Sequence, residues 1–88
     1  MGPRRHKHGL SFEEASSLFA SGADYLEMFD ELHSDEEERF IAIGPIRRGV
    51  IVVVHTEPQE DTIRIVSARP ATKSEIERFQ AYWETRDE

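Results

Sequence analysis

The sequence predicts an α+β fold in which a helix, a three-stranded antiparallel sheet and a second helix follow one another. The helices are indicated by two segments in which serine or threonine is followed three positions later by glutamate, a capping box that satisfies the free amides of a helix start. The sheet is indicated by β-branched residues that dominate residues 39–68, with two interruptions by turn-forming residues. We expect both helices to cover one face of this sheet.

The first capping box, residues 11–14, predicts a helix over residues 12–21 that Gly22 ends. Its apolar stripe at helical spacing consists of Phe12, Ala15, Leu18 and Phe19. Residues 25–29 do not favour one type of structure, and the acidic residues 30–37 are expected to be exposed.

The sheet is predicted as an antiparallel meander. In chain order it comprises a strand at 39–46, a turn at 47–49, a strand at 50–55, a turn at 57–61 and a strand at 62–68. The second strand is apolar on both faces, so we expect it to be central, with Val52 and Val53 covered on both sides. In the third strand Arg64 separates Ile63 from Ile65, and alternation places Arg64 on the sheet face opposite the helices.

The second capping box, residues 72–75, starts a C-terminal helix. The apolar face of that helix consists of Ile76, Phe79, Tyr82 and Trp83. We expect residues 1–9 to form a basic arm and residues 10–88 to form one domain.

Composition limits the function classes. The 88 residues include no cysteine, which excludes disulfides, thiolate nucleophiles and cysteine-ligated zinc. No apolar run is long enough for a membrane span, and the basic, polar start is unlike a secretory signal. We therefore expect a cytoplasmic protein with no membrane partner.

The net charge of −7 opposes nucleic-acid binding in general, but the charges are segregated. Cations gather in the N-terminal arm at Arg4, Arg5 and Lys7, whereas acids gather at 35–38 and 57–61. This pattern suits a basic groove on an acidic body, but charge alone favours solvated faces with a loose terminal arm.

Several kinds of site are not supported by the sequence. His6 and His8 are not followed by a third ligand at a spacing typical of metal sites, so no metal site is predicted. No glycine-rich phosphate loop is present, and no serine has a recognisable catalytic base arranged beside it.

Two arginines stand out near the third strand. Arg69 precedes the start of the second helix, where free amides and the helix dipole favour an anion such as phosphate. Arg64 lies within the strand and is either part of the same surface or a cross-strand partner of an acid such as Glu38 or Glu57.

A series of short segments, in order and spacing, resembles the BrnT family of toxins across about 70 of the 88 residues. These segments are residues 7–15, 33–34, 37–39, 43–44, 64–69, 71–72 and Glu75. Family members usually begin with an additional strand, which this chain replaces with residues 1–6. A longer loop after Thr56, with Pro58-Gln59 in place of the common arginine, and Ile76 in place of another arginine also depart from the family pattern.

The resemblance implies a fold similar to RelE-type ribonucleases, without the family's usual first strand. It also implies cofactor-free, metal-independent RNA cleavage that blocks translation and growth. The implied partners are RNA and a ribbon-helix-helix antitoxin similar to BrnA, with operator DNA contacted only through the antitoxin. A heterotetramer with the antitoxin is compatible with this expectation.

Matched residue by residue, the resemblance implies that Lys7 and His8 handle protons while Arg64 and Arg69 hold the charged phosphate. His33 and Arg39 match positions that line the groove and bind substrate, although Arg39 is equally suited to a structural pair with Glu38. The alternative function is a catalytically degenerate module that only binds its antitoxin or contributes to repression of its own operon.

Overall fold

The computed structural model describes residues 10–22, 24–33 and 37–86. The elements in chain order are α1 (Phe12–Ala20), β1 (Leu26–Phe29), a 3₁₀ turn (Glu31–His33), β2 (Arg39–Ile46), β3 (Gly49–Gln59), β4 (Thr62–Pro70) and α2 (Lys73–Arg86). Two helices and one antiparallel sheet confirm the α+β class. In this part of the chain, neither helix is long and apolar enough to cross a membrane.

The sheet has four strands in the order β1-β2-β3-β4, so the expectation of three strands is wrong. The additional strand is β1, in the segment whose type the sequence left open. It has only four residues, which alternate between half-buried and exposed, and it pairs with β2 from Leu26 opposite Ile43 to Phe29 opposite Phe40. A pattern this short is decided by pairing with a distant strand rather than by local propensity.

The prediction of a central apolar strand is confirmed. Strand β3 lies between β2 and β4, and Val52 and Val53 are 3% and 0% exposed. The strand also extends beyond its predicted end to Gln59, so the second turn narrows to residues 60–61.

The helices lie on opposite faces of the sheet, which corrects the expectation that they share one face. Leu18 of α1 packs in one core cluster with Ala42, whereas Phe79 of α2 packs in a second cluster with Ile43. Consecutive strand residues point to opposite faces. Because β2 and β3 are apolar on both faces, a single helical layer would leave one face uncovered.

Local capping explains how α1 begins and ends. The Ser11 hydroxyl accepts a hydrogen bond from the Glu14 amide at 3.1 Å, and the Ser11 amide donates to Glu14 Oε1 at 3.0 Å. The helix ends at Ala20, and Gly22 adopts a positive φ of 82°. Both capping predictions for α1 are therefore confirmed, with the end one residue earlier than expected.

Strand β4 contains a bulge. Val54 pairs with Ser67 and His55 pairs with Ile65, so Val66 is an extra residue on the β4 side. An extra residue shifts the alternation of every residue after it by one. Ile65 and Ala68 consequently pack on the same face, the one covered by α1.

The bulge also decides where the two arginines of β4 lie. Arg64 is opposite Thr56 and Arg69 is opposite Val52, and both partners lie on the face that carries α2. The prediction that Arg64 lies opposite the helices is wrong, since each face carries one. The side chain of Arg64 is nevertheless 60% exposed.

We expect Gly44→Ala to destabilise the fold by about 1–3 kcal/mol, because an added Cβ would lie 2.6 Å from the Tyr25 Cβ and 2.8 Å from the Leu18 Cδ1. Urea unfolding followed by circular dichroism measures this change. Gly22→Asn is the matched control, because nothing lies within 4 Å of that position and asparagine tolerates its positive φ. Equal stability of the two variants would contradict the close packing of α1 on β2.

Candidate functional site

The α2 face of the sheet carries a polar row across three strands. Arg39 of β2 pairs with Thr56 of β3, which pairs in turn with Arg64 of β4. Because adjacent strands lie about 4.8 Å apart, the Cα atoms of the two arginines are separated by roughly 10 Å. The structure thus brings together two of the residues that the sequence selected.

Thr56, between these two arginines, was not selected by the sequence analysis. The residue is 1% exposed, and its hydroxyl has no hydrogen-bond partner among the residues that the structure describes. A buried hydroxyl without a partner carries a desolvation cost of about 1–3 kcal/mol. A buried polar group of this kind normally has a hydrogen-bond partner, so its place between two cations makes it a candidate contact for a polar ligand.

Arg64 donates a hydrogen bond to Glu37 Oε1 and forms an ion pair with it. An acidic partner for Arg64 was one of the two expectations from the sequence, but the acids expected there were Glu38 and Glu57. The side chains of Arg64 and Glu37 are 60% and 39% exposed, so water screens their attraction. Exposed pairs contribute about 0–1 kcal/mol, and another anion can therefore displace Glu37 at little cost.

Arg69 is held more firmly, by Glu75 in the first turn of α2. Two parallel hydrogen bonds of 2.8 Å join the guanidinium to the carboxylate. Glu75 also accepts a 2.8 Å hydrogen bond from the Thr72 amide, and its own amide donates to the Thr72 hydroxyl at 3.2 Å, which confirms the second capping box. A carboxylate thus occupies the helix start where the sequence analysis placed a phosphate.

Hydrogen bonding to Arg69 and to the Thr72 amide lowers the pKa of Glu75 from 4.5 to about 2, against the opposing effect of partial burial. The carboxylate is therefore ionised at neutral pH. The bidentate pair fixes the end of β4 to the start of α2.

The other selected residues occupy different places. His33 ends the 3₁₀ turn, and Arg39 begins β2, where its carbonyl accepts a 2.8 Å hydrogen bond from the Asp30 amide. Lys7 and His8 lie outside the described residues.

Helix α1 begins at the Arg69 end of the sheet. Arg48, in the β2–β3 turn, donates to both carboxylate oxygens of Glu14 at 3.1 and 2.9 Å, which fixes the start of α1 beside that turn. Ile51, just after the turn, pairs with Pro70, so Arg69 lies at the same end of the sheet.

The α1 side carries a second polar group that the sequence analysis did not recognise. His55 is fully buried against the rings of Phe19 and Phe40, at centroid distances of 5.0 and 5.7 Å. Its Nδ1 lies 3.8 Å from Glu57 Oε2, and one ligand atom from each of Glu27, His55 and Glu57 lies within 4.8 Å of the others. One feature of the sequence could have indicated this group: His55 is a polar residue at an inward-facing position of an otherwise apolar strand.

Burial lowers the pKa of His55, although the Glu57 carboxylate opposes the shift. Burial also raises the pKa of Glu27, and repulsion by Glu57 adds to it. The group therefore combines an imidazole whose charged form is disfavoured by burial with two carboxylates that repel each other.

We expect Glu75→Gln to lower stability by about 0.5–1.5 kcal/mol at pH 7, through loss of the ion pair and weakening of the cap. Because folding lowers the pKa of Glu75 from 4.5 to about 2, its contribution is present above pH 4.5 and is lost as the pH falls towards 2. Urea unfolding at pH 7 and pH 3 should show a smaller difference from the wild type at pH 3. Glu77→Gln, an exposed position of the same helix, is the control, and a difference independent of pH would refute this assignment.

A family model described as "Ribonuclease toxin, BrnT, of type II toxin-antitoxin system" matches residues 4–75. The matched segment contains the whole sheet and every candidate residue described above, including the capping glutamate of α2. Comparisons with curated proteins and with solved structures found no match. The match covers most of the chain, and this protein therefore belongs to the BrnT family of ribonuclease toxins of type II toxin–antitoxin systems.

Proposed function

We propose that this chain is an endoribonuclease that cleaves RNA without a metal ion and thereby inhibits translation and growth. The observation that carries the proposal is the row of Arg39, Thr56 and Arg64, in which a buried hydroxyl, without a hydrogen-bond partner among the described residues, lies between two cations on one face of the sheet. Polar groups of this kind suit the phosphates and hydroxyls of a single RNA strand.

The reaction that fits these residues is attack by a ribose 2′-oxygen on the adjacent phosphorus. The O2′–P bond forms, the P–O5′ bond breaks, and the products are a cyclic phosphate and a 5′-hydroxyl. The reaction needs a base for the 2′ proton, an acid for the leaving oxygen and cations for the charge on phosphorus. In this proposal Lys7 and His8 move the protons, and the arginines supply the positive charge.

Arg64 is the cation best suited to contact the substrate. Its partner Glu37 is a half-exposed carboxylate bound through one hydrogen bond, which a phosphate can replace. The guanidinium can then donate two parallel hydrogen bonds to two phosphate oxygens. Glu37 accepts through one oxygen only, so it leaves this bidentate arrangement unused. Glu37 acts as a stand-in for the phosphate when RNA is absent.

Arg69 has a second role in the same surface. On β3 the partners of Arg64 and Arg69 are Thr56 and Val52, which are four positions apart. The two arginines are therefore separated by roughly 13 Å along the strand, and in this proposal they hold different parts of the RNA. Because Arg69 stays bound to Glu75, only the edge of its guanidinium that does not face Glu75 is left to contact the RNA. Helix α1, which follows Lys7 and His8 in the chain, begins at this end of the sheet. We therefore propose that proton transfer takes place nearer to Arg69 and substrate alignment nearer to Arg64.

His33 and Arg39 extend the substrate surface in this proposal. Arg39 lies on the same face as Arg64, two strands away, and His33 ends the 3₁₀ turn that leads towards β2. RNA would thus cross the sheet from β2 to β4 before following β4.

The family implies an antitoxin partner, and we propose that it is a ribbon-helix-helix protein similar to BrnA. It would cover the arginine surface with an acidic or apolar segment, because masking the cations prevents phosphate binding. Operator DNA would be contacted only through this partner, in a heterotetramer of toxin and antitoxin.

A catalytically degenerate module is the second candidate function. The observation in its favour is that Arg64 and Arg69 are both engaged by carboxylates of the chain itself. Induced expression with and without the antitoxin distinguishes the two functions. Growth arrest with RNA fragmentation, relieved by the antitoxin, supports the nuclease, whereas intact RNA and normal growth support the degenerate module.

We expect Arg64→Ala and Arg69→Ala each to lower RNA cleavage by roughly 30- to 1,000-fold, the cost of losing one well-placed cation. Arg64→Lys should restore activity only partly, because a point charge does not reproduce the bidentate fork. Cleavage of a labelled RNA measures the effect, and Arg78→Ala on the exposed side of α2 is the control.

Lys7→Ala and His8→Ala should also impair cleavage, and the defect of His8→Ala should vary with pH near neutrality. Melting temperatures identify variants whose activity falls because they unfold. Full activity in all four folded alanine variants would refute the assigned active site.

Thr56→Val separates binding from folding. Removal of the unpartnered hydroxyl should leave stability unchanged or raise it, since valine has nearly the same shape and no polar atom to desolvate. If the hydroxyl binds RNA, cleavage should nevertheless fall about 5- to 10-fold, the range expected for one hydrogen bond. Thr62→Val, at an exposed position of β4, is the control, and wild-type cleavage by a stable Thr56→Val protein would remove this residue from the site.

A further inference from the structure

The cluster of Glu27, His55 and Glu57 lies on the face of the sheet opposite the arginines. Glu27 pairs with Ala42, which packs under α1, and His55 pairs with Phe40, which precedes Ala42 by two residues and so shares its face. The cluster is thus separated from the RNA surface by the thickness of the sheet, and the proposed cleavage does not use it.

His55 provides the strongest indication of a ligand. The side chain is 0% exposed, and within the described ranges neither ring nitrogen has a hydrogen-bond partner. Its Nδ1 is directed towards Glu57 Oε2 at 3.8 Å, which is too long for a hydrogen bond. A fully buried imidazole without partners is costly, and its nitrogen faces a carboxylate across a gap.

The spacing of the cluster suits a metal ion. Ligands at about 2.1 Å from a tetrahedral zinc ion lie roughly 3.4 Å from one another. The His55–Glu57 separation of 3.8 Å is already close to this value, and all three ligand atoms lie within 4.8 Å. Rotation of the two glutamate side chains, both on exposed residues, closes the difference and leaves a path from solvent.

The charges also favour a cation. Glu27 and Glu57 place two carboxylates beside the buried ring of His55, with one ligand atom of each residue within 4.8 Å of the others. A divalent ion would offset both carboxylates and provide the buried nitrogen with a partner. One imidazole with two carboxylates is a ligand set that zinc accepts, with water in the fourth position.

We propose that Glu27, His55 and Glu57 form a zinc-binding site. Glu27 belongs to the edge strand β1, whereas His55 and Glu57 belong to β3, with β2 between them. A bound ion therefore joins the four-residue edge strand to the central strand. The site stabilises the fold on the α1 side and takes no part in RNA cleavage.

The test uses the full chain, stripped with chelator and titrated with zinc chloride in a calorimeter at pH 7. We expect one equivalent to bind and the melting temperature to rise by about 5 °C at saturation. Glu27→Gln and Glu57→Gln should each weaken zinc binding at least about 10-fold and lose the rise in melting temperature. Both changes are isosteric and on exposed residues, so these variants are expected to fold.

Two controls identify the ligands. Glu60→Gln removes an exposed acid from the β3–β4 turn and should bind zinc as the wild type does. The double variant His6→Ala/His8→Ala removes the imidazoles of the arm and should also retain the site. Failure of the wild type to bind zinc, undiminished binding by both glutamine variants, or loss of binding in the arm variant would each overturn the proposal.

RNA cleavage in the presence of chelator keeps this proposal distinct from the proposed function. Cleavage that persists in chelator agrees with both proposals. If chelator abolishes cleavage and zinc restores it, metal-independent cleavage and the exclusion of zinc from catalysis are both wrong, whatever residues bind the ion.

Discussion

The structure depends on a pair of strands, β2 and β3, that are apolar on both faces. Ala42 and Val53 turn towards α1, whereas Ile43 and Val52 turn towards α2, and all four are buried. Neither helix can be dispensed with, because each excludes water from one face of the same two strands. This constraint divides the sheet into two faces, and each face carries one polar group. The face of α2 carries the row of Arg39, Thr56 and Arg64, and the face of α1 carries Glu27, His55 and Glu57.

The cations of the candidate RNA surface are paired in the absence of RNA. Arg64 binds Glu37 and Arg69 binds Glu75, in a chain with a net charge of −7. Pairing reduces the long-range attraction for any polyanion, so the proposed RNA binding would depend on exchange of carboxylate for phosphate at close range. The two pairs differ in how easily a phosphate could replace the carboxylate. Arg64 makes one exposed hydrogen bond to Glu37, whereas Arg69 makes two hydrogen bonds to Glu75, which also caps α2.

Local signals in the sequence predicted the local structure. Both capping boxes, the glycine that ends α1 and the central strand β3 were predicted, because residues within a few positions of one another determine them. Features that depend on distant residues were not predicted. Strand β1 exists through its pairing with β2, and the bulge at Val66 moves Arg69 to the face of Arg64, which strict alternation does not allow. Of the candidate site, the sequence selected the arginines but neither Thr56 nor the acids that pair with them.

Thr56 and His55 show why burial is needed to recognise a site in this chain. They are consecutive residues near the end of a strand and point to opposite faces. Both are buried, and their side-chain polar atoms have no hydrogen-bond partner within the described part of the chain. Two such residues in one strand cost stability unless each meets a ligand. Their neighbours differ in charge: Thr56 lies between two arginines, and His55 lies beside two glutamates. Since opposite charges attract, the two proposals assign an anion to the face of α2 and a cation to the face of α1, and the sheet between these faces would keep the two ligands apart.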